Sequence, residues 1–402
     1  MRGPVRRGLR ELPWIAAGLG AFAARDASAQ NSSVDVHFLF YKESGGRTQV
    51  LNPVVLWNQD LGSGGQLGLT AGYDSISGAS PTGAYPTADV TTSASGTVTA
   101  SGNIPQASYT DARKSAGLTW SRRFGANLPT VNITYAKEND YMARGVEASD
   151  SWTLLGGRGT LHFGFALSRD IVSPVKNPET NPGGADLNLA KNTNGFSLGW
   201  TWVFGSRDVA DLSLSLMNLS GYLTDPYKVV PVGPPDSTQT IPENRPNTRS
   251  RRTAVLRYSH YFLWDASINV LYRYYNDDWS ISAHTLDLTY NHRLGPDWIV
   301  SPEIRIYTQT GASFFANRFP APQTYMSADY RLSPFTSFLG GLSLSHRLNE
   351  AMSANVGATF QTQHSNDPIL LVTNTPGERG TASVSAADMN VLTFIVGLKY
   401  RY

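Results

Sequence analysis

The amino-acid sequence predicts an all-β protein, a closed antiparallel transmembrane β-barrel. Three observations support this prediction. Apolar and polar residues alternate along many short segments, no stretch beyond the N-terminal region approaches 18 consecutive apolar residues, and short connections between the segments alternate with long ones. A spanning helix needs a longer apolar run, whereas barrel strands need only the alternation.

The alternation has a period of two residues. Between residues 196 and 204, Phe, Leu, Trp, Trp and Phe alternate with Ser, Gly, Thr and Val, and residues 161–168 and 211–216 repeat the pattern. Such segments predict strands with one apolar face. A soluble antiparallel sheet of about sixteen strands would have to split or stack. A closed barrel pairs every strand and leaves no open edge.

The predicted number of strands is about sixteen, with fourteen as an alternative. Eighteen is a further alternative if residues 324–332 form an extra hairpin. The predicted strands begin near Val34, Val50, Gln66, Lys114, Thr130, Arg144, Thr160, Asn194, Leu212, Thr253, Ala266, Ala283, Trp298, Ser337, Ser353 and Met389.

The connections predict the orientation of the barrel, because proteins of this class have short periplasmic turns and long extracellular loops. With an even number of strands, both termini are periplasmic. The segment from Ser77 to Asp111 is long enough to fold into the lumen. The long connections are residues 77–111, 173–193, 226–252, 311–336 and 365–388.

Aromatic residues support the same architecture. The last strand, residues 391–402, carries alternating apolar residues and finishes on Tyr402, which resembles the closing strand that the barrel-assembly machinery recognises. Aromatic side chains near strand ends suit the two interfacial girdles of a barrel. They are Tyr73, Trp120, Tyr135, Trp152, Trp202, Tyr258, Trp264 and Trp298.

The first 29 residues have the pattern of a secretory signal peptide. Four arginines precede a short apolar run from Leu12 to Ala24, and Ala27-Ser28-Ala29 offers a cleavage site. Residues 30–402 are then a single outer-membrane barrel domain, exported through the periplasm. Without the signal peptide the chain has 28 basic and 29 acidic residues, so no electrostatic argument favours nucleic acid as a partner.

The chain has no cysteine, which excludes disulfides, thiolate metal sites and covalent haem attachment. We expect no cofactor and no metal, since no His or carboxylate cluster has metal-ligand spacing along the chain. The sequence also lacks the common hydrolase, zinc-protease and phosphate-loop motifs, so we expect no enzyme. An outer-membrane hydrolase acting through a lone Ser and His is the remaining catalytic alternative, although the adjacency of Ser259 and His260 is a coincidence that seven histidines and many serines readily produce.

Charged residues fall into two predicted groups. In the extracellular rim, acids at the outer ends of strands face arginines of returning strands, forming ion pairs at a wet mouth or a polar gate that selects solutes. The candidate lumen residues are Arg257, Arg273, Asp287, Glu303 and Arg305. The candidate rim residues are Glu43, Asp74, Glu138, Asp140, Asp170, Asp225, Asp277, Asp278, Arg113, Arg144 and Arg331.

An ordered series of motifs covers most of the chain: FLFYKESGGR (38–47), YDSISGASPTGA (73–84), ENDY (138–141), TDPYK (224–228), RP (245–246), YRYYNDDWSISAHT (272–285), YTQTGASFF (307–315) and SADYRLS (327–333). The series resembles an uncharacterised family of bacterial outer-membrane barrels, the domain of unknown function thirty-five seventy. The resemblance implies an outer-membrane barrel and supplies no catalytic residues. Genes of such proteins often lie beside those for thioredoxin-like and flavin-transferase proteins, which implies a role in envelope electron transfer as an alternative.

The sequence therefore favours a pore or channel for passive passage of small polar solutes. One alternative is a barrel that sheathes or binds a periplasmic or surface redox protein, and an outer-membrane enzyme is the second. The expected partners are outer-membrane lipid, lipopolysaccharide and the barrel-assembly machinery, with a periplasmic partner protein in the first alternative.

Overall fold

A computed structural model describes residues 32–92, 98–175, 187–234, 237–375 and 378–402. The predicted signal peptide, residues 1–29, lies outside the described residues. Residues 93–97 of the long connection 77–111 also lie outside them. Within the described ranges, no helix is long and apolar enough to span a membrane.

Sixteen antiparallel strands close into a single barrel, which confirms the predicted fold class and strand number. The first and last strands pair with each other, from Ser33 opposite Arg401 to Glu43 opposite Val391. The barrel strands are β1 (Ser33–Glu43), β2 (Gln49–Gly62), β3 (Gly65–Pro81), β6 (Gln106–Arg122), β7 (Thr130–Lys137), β8 (Tyr141–Leu154), β9 (Gly159–Val172), β10 (Leu189–Val203), β11 (Asp208–Gly221), β14 (Thr248–Phe262), β15 (Ala266–Asp277), β16 (Ser282–Leu294), β17 (Trp298–Gln309), β18 (Phe335–Arg347), β19 (Met352–Ser365) and β22 (Met389–Arg401).

Three further hairpins lie in the long loops: β4 (Thr87–Thr92) with β5 (Val98–Asn103), β12 (Val229–Val232) with β13 (Gln239–Pro242), and β20 (Ile369–Thr375) with β21 (Glu378–Val384). Residues 324–332 do not join the barrel. They run as a loop that ends in a 3-10 turn, Tyr330–Leu332, so the eighteen-strand alternative is wrong. A second 3-10 turn, Leu155–Gly157, connects β8 to β9.

The outer face of the barrel is apolar. Along β11, Leu212, Leu214 and Leu216 are about half exposed, while the serines between them face inward. The eight aromatic residues predicted for the girdles are all exposed. Apolar side chains exposed in a continuous band are stable only in contact with lipid, and the barrel is accordingly an outer-membrane protein.

Seven connections at one end of the barrel are short, and both described termini lie at that end. Long loops occur only at the opposite end, between β3 and β6, β9 and β10, β11 and β14, β17 and β18, and β19 and β22. The other three connections at that end, including the one from β7 to β8, are short as well. By the rule for this class, the end with the long loops is extracellular.

The two faces of β11 allow a direct test of which face of the barrel wall contacts lipid. Replacing the lipid-facing Leu214 with Arg should cost about 2–4 kcal/mol of unfolding free energy, because the charge would lie near the bilayer midplane. Arg at the adjacent, inward-facing Ser215 should cost much less, since its charge can stay in contact with water. Urea unfolding in lipid vesicles measures both variants, and equal costs would contradict the assigned faces.

Candidate functional site

Two extracellular loops fold over the mouth of the barrel and pack against each other. We call residues 222–247 and 310–334 the plug loops; positions 235 and 236 are outside the described residues. Val230 and Val232 of the first loop form a buried cluster with Phe319 and Met326 of the second. The backbone amide of Phe319 also donates to the carbonyl of Pro231 at 3.0 Å. The two loops therefore form one packed unit.

A second apolar cluster attaches this unit to the barrel wall. Trp279 and Ile281, in the turn between β15 and β16, pack against Ala312, Phe314 and Leu332 of the second plug loop. All five are nearly inaccessible to solvent. Burial of aromatic and branched side chains supplies most of the packing energy at such contacts, so this side of the plug is firmly held.

The plug reaches across the mouth to distant strands. Val229 donates its amide to the carbonyl of Thr82 at 3.0 Å, and Lys228 donates to Ser80 at 2.9 Å. Both acceptors lie at the extracellular end of β3. Five strands separate β3 from β11 in the order of the ring. Sixteen tilted strands spaced about 4.8 Å apart give a ring roughly 30 Å across. The plug loops therefore extend over most of that width.

The β1–β2 turn contacts the plug from the remaining side. The guanidinium of Arg47 lies 4.5 Å from the ring centroid of Tyr330 and donates to the carbonyl of Ala386 at 2.7 Å. Burial, the largest cause, together with the charge of Glu43 raises the pKa of Tyr330 to about 12. Its phenol is therefore neutral at physiological pH, and Arg47 contacts it as a cation over an aromatic face.

A network of buried charges lies inside the plug. Asp329, which is 1% exposed, is 2.7 Å from Arg245 and also bonds to Arg331. Arg331 reaches Asp225 at 2.7 Å, and Arg245 reaches Glu243 at 2.7 Å. With Lys228, the network has three acids and three bases. Its charges balance, as burial in a low-dielectric site requires.

The neighbouring bases control the ionisation of Asp329. Burial by itself raises the pKa of this carboxyl group. The positive charges of Arg331, Lys228 and Arg245 outweigh burial and hold the pKa well below the usual value of 3.8. Asp329 therefore stays ionised throughout the physiological range, and its negative charge holds the three bases in place.

The acids predicted for a wet rim are mostly buried. Six of the eight are less than 9% exposed, and the two others are Asp74, which is half-buried, and Asp278, which is exposed. The expectation of exposed pairs at a wet mouth is therefore wrong, because the plug covers the inner side of the strand ends. The six buried acids are Glu43, Glu138, Asp140, Asp170, Asp225 and Asp277.

Most of the buried acids contact tyrosine or arginine. Asp140 accepts from Tyr227 of the plug, and Asp170 accepts from Tyr141 of the wall. Asp277 binds Arg249 at 2.5 Å. The remaining contacts are Glu43 with Arg47 at 3.3 Å, Glu138 with Arg113 at 3.8 Å, Asp74 with Arg113 at 4.0 Å, and Asp278 with the amide of Ser250 at 2.9 Å.

Of the three predicted rim arginines, the structure brings Arg113 and Arg331 to the acids. Arg144 lies elsewhere: it is exposed on the outer face of β8, on the same face as Val146. The alternation of the strand explains the difference, since even-numbered residues of this part of β8 point away from the lumen. Arg144 is therefore not part of the mouth.

Three carboxylates meet beside the plug. Ligand oxygens of Asp111, Glu138 and Asp140 lie within 4.8 Å of one another, a grouping that distance along the chain hid from sequence reasoning. Asn139 donates to Asp111 at 2.7 Å, and Arg113 lies near Glu138. Among the described residues, this group has the oxygen ligands that a hard divalent cation would prefer.

The five predicted lumen residues all lie on the inward face of their strands, between exposed apolar neighbours. Arg257 binds Asp211 at 3.0 Å, and Asp211 also contacts His162 at 3.1 Å. The other four form contacts with the adjacent strands or within their own strand. Arg305 binds Asp287 at 2.5 Å and Glu303 at 3.0 Å, and Arg273 lies 5.6 Å from the ring centroid of Tyr275. The inner wall thus carries cross-strand charge pairs.

Ser259 and His260 do not form a catalytic pair. Ser259 donates to Asn269 at 2.7 Å, whereas His260 contacts Asp208 at 2.7 Å, near the periplasmic end. Successive strand residues point to opposite faces, so their adjacency along the chain does not bring the two side chains together.

A small pocket, partly open to solvent, lies between the plug and the wall. Its aromatic side chains are Tyr141, Tyr222 and Trp279. Five basic residues and the single acid Asp225 are the charged part of the lining. The basic residues are Lys191, Arg245, Arg249, Arg251 and Arg331.

Sequence reasoning missed the centre of the plug, although a signal was present. Asp225, Tyr227 and Lys228 all fall in the motif TDPYK, Arg245 falls in RP, and residues 329–331 fall in SADYRLS. Of these residues, only Asp225 and Arg331 are predicted for the rim, and the others stand in the motifs that carry the family resemblance. Their contacts join residues as far apart as Arg331 and Asp225, a separation of 106 positions, which no local pattern reveals.

The family known as Protein of unknown function (DUF3570) matches residues 14–392, and the chain belongs to this family. No curated protein matches the sequence significantly.

Solved structures of outer-membrane proteins are similar in fold. A bacterial polysaccharide outer membrane secretin is 10% identical, with a TM-score of 0.49 over 93% of this chain and 100% of that one. OccK8 (OprE) of Pseudomonas aeruginosa is 8% identical, with a TM-score of 0.40 over 92% and 98%. The siderophore receptor PirA of Acinetobacter baumannii is 8% identical, with a TM-score of 0.44 over 92% of this chain and 60% of that one.

Two glycines of the motif at residues 73–84 allow other segments to approach closely, the β1–β2 turn at Gly78 and the plug at Gly83. Gly78 and Gly83 have φ angles of 126° and 93°. A Cβ atom at Gly78 would collide with the carbonyl oxygen of Arg47, and one at Gly83 with that of Val229. Both positions therefore require glycine for conformation and for space.

Substitution of Gly78 with Ala should lower the unfolding free energy by about 1–3 kcal/mol or more, since it adds a backbone collision to an unfavourable φ. Gly45→Ala is the matched control. Gly45 also has a positive φ, 70°, but its Cβ would meet no atom within 4 Å. Chemical unfolding in detergent compares the two variants. An equal loss in both would show that the close approach at Gly78 contributes nothing.

Proposed function

We propose that this barrel is a diffusion channel for small polar solutes whose extracellular mouth is gated by the plug loops. The observation that carries the proposal is the buried, balanced charge network of Asp329 in a plug that covers the mouth of a sixteen-strand ring. A ring of this size is wide enough for an aqueous lumen. Passage then depends on displacement of the plug.

The inner wall supports passage of polar solutes. Its charges are paired across strands, as Arg305 is with Asp287 and Arg257 with Asp211, and they are partly exposed towards the lumen. Paired charges on a wet surface bind solutes weakly, which permits entry and release. The wall is therefore suited to conduction of polar molecules rather than to tight binding.

The chemistry of the plug supports displacement. Buried ion pairs lose hydration when they form, so they contribute little net stability even though their geometry is specific. When the plug moves, Asp329, Arg245 and Arg331 regain water, which offsets the lost pairing. An apolar plug would have no such compensation. The two states of this plug can thus differ by a small free energy.

The pocket beside Arg331 and Trp279 is a gap between the plug and the wall. We place the solute path there. Displacement of the second plug loop would widen this space first, since Arg331 belongs to that loop and lines the pocket.

Arg331→Gln should increase the open time of the channel. The substitution leaves the buried carboxylates of Asp225 and Asp329 without their guanidinium, which should cost the closed state about 3–5 kcal/mol. Single-channel recording of the purified protein in planar lipid bilayers measures the open fraction, which is expected to rise by at least about a hundredfold from a low basal value.

Arg347→Gln is the matched control for this experiment. Arg347 pairs with Asp297 at 3.0 Å in an exposed periplasmic turn, so its loss should change the open fraction by little. Absence of openings in the wild type and in Arg331→Gln at every voltage would refute the channel. Equal effects of the two substitutions would refute the gate.

The pH dependence of the gate should follow Asp329. A carboxyl group whose pKa is depressed in the closed state stabilises that state above its ordinary pKa, and this stabilisation is lost as pH falls through the depressed value. With the ordinary value at 3.8, the contribution of Asp329 should be undiminished from pH 7 to pH 5 and should decline only at stronger acidity.

Asp329→Asn tests this assignment by bilayer recording from pH 7 into strong acid, below the ordinary carboxyl pKa of 3.8. At neutral pH, the variant should show the open fraction that the wild type reaches only in strong acid. If instead the open fractions of the two proteins differ by the same factor at every pH, the titration of Asp329 does not govern the gate.

A further inference from the structure

Four basic side chains lie side by side on the outer face of the barrel, on four neighbouring strands. Lys114 of β6, Lys137 of β7, Arg144 of β8 and Arg169 of β9 are all exposed. Lys114 is directly opposite Lys137 in the register, and Arg144 is directly opposite Arg169. We call these four residues the basic patch. With strands about 4.8 Å apart, it is about 15 Å wide.

The patch lies at the extracellular edge of the apolar band. On the same face, and towards the periplasm, Arg144 is followed by Val146, and Arg169 is preceded by Leu167. Both apolar side chains are about half exposed. Lys137 is preceded by Tyr135, an exposed aromatic residue. The patch is therefore at the depth where lipid headgroups meet the hydrocarbon region.

Within the part of the chain that the structure describes, the charges of the patch have no acidic partner. None of its four residues forms an ion pair with a described residue. Arg169 donates only to the carbonyl of Ser168 and to Asn194, at 3.3 and 3.4 Å, and Arg144 contacts the sulfur of Met142.

Such an arrangement is unfavourable in the protein alone. Side chains directly opposite in an antiparallel pair have Cβ atoms about 5 Å apart, and like charges there repel. The patch contains two such pairs next to each other. A bound anion would reverse the sign of this interaction, so the geometry indicates a ligand with negative charge.

The patch is confined to one side of the barrel. At the extracellular ends of β15, β17 and β18, the outward residues are uncharged ones such as Tyr274, Thr308 and Thr336. Exposed, outward-facing basic residues at this end of other strands stand alone, as Lys42 of β1 and Arg252 of β14 do. A general attraction to the membrane surface would not require four cations on adjacent strands.

We propose that the basic patch binds the phosphate groups of lipopolysaccharide in the outer leaflet. The depth of the patch selects a lipid headgroup, and two adjacent pairs of directly opposite cations match a headgroup with more than one phosphate. Two of the cations are guanidinium groups, which bind phosphate with two parallel hydrogen bonds. This binding is independent of whether the lumen conducts.

The test compares a charge-removed variant with a matched control. Lys114, Lys137, Arg144 and Arg169 are all replaced with Gln in the first protein, and Lys42 and Arg252 are replaced with Gln in the second. Purified, folded barrels in neutral detergent are titrated with lipopolysaccharide, and bound lipid is measured by native mass spectrometry. Heat-modifiable migration on SDS gels verifies that each barrel is folded.

The patch variant should bind lipopolysaccharide at least about tenfold more weakly than the wild type, and the control should bind within about twofold of it. Chemically dephosphorylated lipopolysaccharide should bind wild type and patch variant equally. Exchanging Lys and Arg within the patch, which keeps its charge, should preserve binding within a few-fold.

Undiminished binding by the patch variant would overturn the proposal. So would an equal loss in the Lys42 and Arg252 control, because the attraction would then be non-specific. Persistence of the difference with dephosphorylated lipid would show that phosphate is not the ligand. If the four-residue variant does not fold, the pairs Lys114/Lys137 and Arg144/Arg169 are tested separately, with about a threefold loss expected from each.

Discussion

Every other property of this protein depends on the pairing of β1 with β22. In lipid, a backbone amide or carbonyl without a hydrogen-bond partner costs several kcal/mol, so the sheet must close on itself. Eleven residue pairs join the first and last strands, from Ser33 opposite Arg401 to Glu43 opposite Val391. This closure creates the two faces of the wall, one in contact with lipid and one around the lumen.

Closure also separates three electrostatic environments. On the inner wall, charges such as Arg305 and Asp287 pair in contact with water. In the plug, Asp329 and its partners balance one another away from water. On the outer face, Lys114 and Lys137 have no acidic partner among the residues that the structure describes. The same residue types thus serve three purposes, decided by the face and the depth at which the strand places them.

The sequence predicted the wall far better than the mouth. Alternation within a strand is a local pattern, and it correctly indicated sixteen strands and the inward direction of residues such as Arg257 and Glu303. The plug depends on contacts between distant segments, such as Arg47 with Ala386, 339 positions apart. No spacing along the chain encodes such a contact. The acids of the rim were recognised, but their burial follows from loops whose paths local rules do not determine.

The plug depends on the closure of the ring. Its loops leave the barrel at β11 and β17, yet they contact Thr82 beyond β3 and Arg47 between β1 and β2. These partners stand at the distances that the plug requires only when the ring is closed. The seam between β1 and β22 is therefore a condition for a covered mouth as well as for a wall that is stable in lipid.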